Sequence, residues 1–119
     1  MPTTRDVLNQ IHDFDIKRAI VSGATSGNNT LVAAATGKKI KVLGLLLVAN
    51  SAVAIRLEDG AGGTALTGVM TTTAENLTIC LPMTTPGLHW FETTAATLLN
   101  LELGGAVQVS GCIVYYLEE

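Results

Sequence analysis

Apolar residues recur at every second position in run after run of this chain, and clusters of Gly, Asn, Ser and Thr end each run. Successive side chains of a β-strand point to opposite faces, so this period marks strands with one buried face. Val53, Ile55 and Leu57 oppose Ala54, Arg56 and Glu58. Leu77, Ile79 and Leu81 oppose Asn76, Thr78 and Cys80, and Leu99, Leu101 and Leu103 oppose Leu98, Asn100 and Glu102. Strands are predicted over 16–21, 30–34, 39–49, 52–58, 65–70, 76–81, 88–93, 98–103 and 107–117. Asn50–Ser51, between two apolar runs, reads as a tight hairpin turn, because Asn tolerates positive φ. Eight or nine short strands with no helical stretch between them exclude parallel α/β crossovers. The fold class is all-β: an antiparallel β-sandwich of about eight strands, over residues 17–119.

Residues 1–16 differ. Arg5, Asp6, His12, Asp13 and Asp15 concentrate charge there, while Val7, Leu8, Ile11 and Phe14 recur near helical spacing. Thr3 with Asp6 forms a weak capping box. The segment reads as a short amphipathic helix or an arm, too short to be stable unless it packs on its own domain or on a neighbour.

The strand at 39–49 departs from simple alternation. Ile40, Val42, Leu46 and Val48 form one face. The other begins with Lys39 and Lys41 and then turns apolar with Leu43, Leu45 and Leu47. A strand apolar on both sides needs a second cover, from a loop, the arm or another subunit. The last strand is similar, with Val107, Val109, Ile113 and Tyr115 on one face and Cys112, Val114 and Tyr116 on the other.

Composition points the same way. Charged residues make up 14% of the 119-residue chain, against about 25% in an average soluble domain, and sixteen threonines stand among many Ala and Gly. A small domain normally covers its large surface with charge, so small neutral groups at outward positions suit close protein contacts. A net charge of −3 with seven basic residues argues against nucleic-acid binding. The longest apolar run, 42–49, is far shorter than the roughly twenty residues of a membrane span. No signal-peptide pattern opens the chain, so Cys80 and Cys112 are expected as free thiols.

No catalytic constellation emerges. His12 with Asp13 and Asp15 is crowded into the arm and makes a poor metal cage. His89, beside Trp90 and Phe91, reads as a core or interface histidine. Gly60, Gly62 and Gly63 after Asp59 lack the lysine and helix of a phosphate loop and read as a hairpin. Glu58, Glu75, Glu92 and Glu102 are the carboxylates available for paired acid–base work, and nothing singles out two of them. Asn28-Asn29-Thr30 and Asn76-Leu77-Thr78 match the glycosylation pattern by chance. No enzyme, cofactor or metal site is expected.

One resemblance stands on segment order. Asn29-Thr30-Leu31-Val32-Ala33-Ala34 is followed by Thr36-Gly37-Lys38-Lys39-Ile40-Lys41-Val42 and the apolar strand to Ala49. Then come Pro86-Gly87-Leu88-His89-Trp90-Phe91-Glu92-Thr93, Leu99-Asn100-Leu101 and Val109-Ser110-Gly111-Cys112-Ile113-Val114-Tyr115-Tyr116. Over about residues 20–117 the chain resembles small virion structural proteins of tailed bacteriophages, of the head-decoration and head-fibre type. That resemblance implies a jelly-roll-like sandwich, commonly a homotrimer, made in the host cytoplasm and placed on the virion's capsid surface against the major capsid protein. The expected interface residues are Val7, Leu8, Ile11 and Phe14 on the arm, with Leu43, Leu45, Leu47, Trp90, Phe91 and Tyr116. A carbohydrate- or receptor-binding sandwich of a phage tail or cell surface is the alternative, disfavoured by the scarcity of aromatics.

Overall fold

The alternating runs pair edge to edge with their aliphatic stripes turned to a common interior. The computed structural model describes residues 15–73 and 75–119. The arm residues Val7, Leu8, Ile11 and Phe14, with His12 and Asp13, lie outside the described residues. The strands are β1 (Lys17–Gly23), β2 (Gly27–Val32), β3 (Lys39–Ala49), β4 (Ala54–Asp59), β5 (Thr64–Ala65), β6 (Met70–Thr71), β7 (Leu77–Leu81), β8 (Phe91–Glu92), β9 (Leu99–Leu103) and β10 (Val109–Glu118). No helix occurs among the described residues.

Every pairing is antiparallel. One sheet runs β1-β10-β3-β7, with β8 also on β3; the other runs β2-β9-β4-β5, with β6 also on β4. β10 occupies one edge of β3 along its length, so β7 and β8 share the other edge as one interrupted strand. β5 and β6 likewise share one edge of β4. Counting each interrupted pair once leaves eight strand positions among the described residues, ordered 1-8-3-6 in one sheet and 2-7-4-5 in the other. That is the strand order of a jelly roll, in which most connections cross from sheet to sheet.

The core between the sheets is aliphatic. Ile40, Val42, Leu45, Leu47, Val109 and Ile113 from the first sheet meet Ile55, Leu57, Leu99, Leu101 and Leu103 from the second. Each fully buried Leu or Ile contributes about 1.5–3 kcal/mol relative to exposure. Two buried threonines act as backbone surrogates where strands end. The Ile40 N–H donates to Thr93 Oγ1 at 3.0 Å, and the Val53 N–H to Thr72 Oγ1 at 2.8 Å.

Four expectations are corrected. Asn50–Ser51 is not a hairpin turn: β3 and β4 belong to different sheets, and this stretch carries the chain across the sandwich. The strand expected at 65–70 is two short pieces either side of a loop, and that at 88–93 contracts to Phe91–Glu92. β2 begins at Gly27, where Asn28 and Asn29 pair with Glu102 and Leu101 in a stretch that composition marks as loop.

Candidate interaction surface

The surface of interest is the outward side of the β1-β10-β3-β7 sheet, and a single irregularity in β3 decides its residues. Tyr115 pairs with Val42 and Val114 with Gly44, so Leu43 is an extra residue in β3, a β-bulge. Inward positions are Ile40 and Val42 before the bulge and Leu45, Leu47 and Ala49 after it. Strict alternation assigns Leu45 and Leu47 to the side of Lys41, and the bulge reverses that parity. The outward set after the bulge is therefore Gly44, Leu46 and Val48. Leu45 and Leu47 lie in the core between the sheets, a correction to their expected place on an outer face.

Leu43 and Tyr116 are also buried, each at 1% exposure or less. Tyr116 pairs with Lys41 and faces outward, where segment 82–90 laps over this end of the sheet. That flap interrupts the shared edge position between β7 and β8. The Thr84 and Trp90 N–H groups donate to the Leu43 and Val42 carbonyls at 2.9 Å each. The Gly87 N–H donates to the Tyr116 hydroxyl at 3.3 Å, and Trp90 Nε1 donates to the Pro82 carbonyl at 2.8 Å. Trp90 remains 45% exposed, while Phe91 is half-buried against the core.

Beyond the flap the registers give three rows across the sheet. Ser22, Ser110, Val48 and Thr78 form one, Ile20, Cys112, Leu46 and Cys80 the next, and Arg18, Val114 and Gly44 the third. Ile20 is 84% exposed and Leu46 37%. Gly44, Leu46, Cys80, Met83, Cys112 and Val114 line a shallow groove here. Arg18, at the β1 edge, is the single charged residue in these rows. Cys80 and Cys112 are both free thiols. Leu46 stands between them in the register, two strand spacings or about 10 Å across. That exceeds the roughly 7 Å reach of a disulfide.

Charge gathers at the flap end. Lys41 Nζ meets Glu118 at 3.0 Å and Glu92 at 3.4 Å, and His89 Nε2 lies 3.7 Å from Glu92. Burial opposes the charge on Lys41, but the hydrogen bond and negative charge of Glu118 outweigh it and raise its pKa above the usual lysine value.

The opposite sheet carries a polar network on its outward side. Glu58 is fully buried. It accepts from Asn100 Nδ2 at 2.9 Å and from Arg56 Nε at 2.9 Å, with a second bond from the Arg56 guanidinium. Asn100 Nδ2 also donates to Asn28 Oδ1 at 2.9 Å. Burial alone raises a carboxyl pKa; bonds from Arg56, Asn100 and the Gly62 backbone reverse this and hold Glu58 below its ordinary value. These pairs knit strands together. No group of three or more metal-binding side chains occurs among the described residues. Nothing in the chain's composition marks Ile20 and Leu46 as the exposed apolar pair, because their exposure depends on the bulge and the edge position of β1.

No protein-family model matches the chain, and no curated protein matches it in sequence.

Proposed function

We propose that the chain is a structural virion protein, a capsid-decoration or head-fibre subunit. It assembles as a homo-oligomer, with a trimer as the expected state, on a capsid surface formed by a major capsid protein. The observation that carries the reading is a sheet face with apolar and small neutral groups turned to solvent, on a chain of which only 14% is charged. Such a face is costly in water and favours burial against protein. The resemblance of its segment order to that of phage head-decoration and head-fibre proteins supplies the viral part of the reading. The function is mechanical: subunits hold together, and hold to the capsid, by burying surface. It uses no catalytic residue, metal or cofactor.

Native mass measurement over a range of protein concentrations tests the assembly half. Oligomers that grow in population with concentration support it, and a monomer at every concentration overturns it. Co-sedimentation with phage capsids from which decoration proteins have been stripped tests the viral half. Retention in the supernatant overturns that half.

A further inference from the structure

We propose that the outward face of the β1-β10-β3-β7 sheet is where a second copy of this chain docks; the proposal rests on the reading of the chain as a self-assembling virion protein. Two other surfaces pair polar groups among themselves. The outward side of the opposite sheet spends its polar groups on itself, through Asn28, Asn100, Glu58 and Arg56. The Lys41 cluster at the flap end is an internally paired set of ions.

The charge pattern of the face selects the partner. Of the eleven residues in its three rows, only Arg18 is charged, and it stands at the edge strand. A basic, acidic or nucleic-acid partner would bring charges that find no counterpart here, and burying them unpaired is costly. The same face of a second copy brings the same neutral groups in a two-fold contact, distinct from the contacts that would close a trimer, while Arg18 stays at a solvated rim. Anionic lipid is disfavoured for the same reason, because one guanidinium makes no basic patch.

Area sets the strength of the contact. Four strands about 4.8 Å apart and three rows about 6.8 Å apart make a face of about 400 Å². A standard interface uses about 800 Å² per partner. Met83, Leu88 and Trp90, exposed on the flap at the end of the same face, extend the apolar surface toward that size. The contact is therefore reversible and concentration-dependent in solution. On a symmetric shell, where neighbouring copies are held close, the same contact becomes effectively permanent.

The two thiols make the face its own reporter, because Cys80 and Cys112 flank Leu46 in the central row. The full chain is labelled with a maleimide at rising protein concentration while its mass is followed by sedimentation. Labelling is expected to slow by about tenfold where about nine-tenths of the chains are associated. Ile20→Lys changes a side chain that is 84% exposed and leaves the core intact. It is expected to raise the dissociation constant by at least about tenfold, or about 1.4 kcal/mol. Thr30→Lys, on the opposite sheet, is expected to change nothing.

Three results overturn the proposal, and they are distinguishable. Association with unprotected thiols and a fully associating Ile20→Lys variant moves the interface elsewhere and leaves the proposed function standing. Thiols already protected in the dilute monomer mean that a segment of the same chain covers the face. A monomer with unprotected thiols at every concentration removes both this proposal and the assembly reading.

Discussion

Glu58 lies on the outward side of its sheet yet is fully removed from water, and its carboxylate survives there because Arg56, Asn100 and the Gly62 backbone all donate to it. Its depressed pKa fixes the sign of a pH effect. The stabilisation is fully present above the ordinary carboxylate value of 4.5. It is lost as the pH falls through the lower folded value, where the proton must go on. Glu58→Gln is expected to lower stability at neutral pH by about 1–3 kcal/mol. It is also expected to flatten the acid limb of the stability profile, read from urea midpoints between neutral and acid pH. A midpoint that falls as steeply in the variant as in the parent would assign the acid sensitivity to another group. Gly111 is constrained in a different way. Its φ of 154° and the approach of the Leu46 carbonyl oxygen leave no room for a Cβ, which would sit 1.8 Å from that oxygen. Gly111→Ala is expected to cost about 3 kcal/mol or more, lowering Tm by about 10 °C or more in a thermal melt.

The elements that set the surface are the bulge in β3 and the flap at 82–90. The bulge turns Leu45 and Leu47 inward and leaves Leu46 and Val48 outward. The flap then closes over Tyr116 at one end of the sheet, with Gly87 bonded to its hydroxyl. Tyr116→Phe is expected to keep the fold, cost about 0.5–1.5 kcal/mol, and speed hydrogen exchange at the Gly87 amide. Unchanged exchange there would mean that the Thr84 and Trp90 backbone bonds hold the flap without the hydroxyl. β4 and β9 were legible from alternation almost residue by residue, because their apolar stripes are unbroken. The broken strands were not. β5, β6 and β8 have two residues each, too few to show a period, and their strand character comes from pairing with a long neighbour.

At the scale of the whole molecule, the sandwich leaves one sheet with an outward side whose three rows beyond the flap carry a single charge, Arg18. Self-association through that side would be driven by apolar burial, so it is expected to persist or strengthen in high salt and in sulfate. Sedimentation in dilute buffer and in concentrated salt checks this. Dissociation by salt would indicate a contact built from ion pairs, centred on the Lys41, Glu92 and Glu118 cluster or on Arg18. The low charge of the chain supports assembly in general terms. Which face is uncovered follows from the strand order, because only that order places β1, β10, β3 and β7 side by side.

The sequence by itself determined the fold class. A period of two over several independent runs, without helical stretches between them, admits strands buried on one face, and strands of that kind must pair and stack. It also determined that the chain lacks the charge to cover an ordinary small domain. Tertiary structure alone decided which side each β3 residue takes, since one inserted residue at Leu43 reverses every later side chain. It alone decided that Asn50–Ser51 crosses between sheets, because tight turns and crossovers use the same residues and differ only in where the next strand finds its partner. It alone separated Cys80 from Cys112, by placing Leu46 between them.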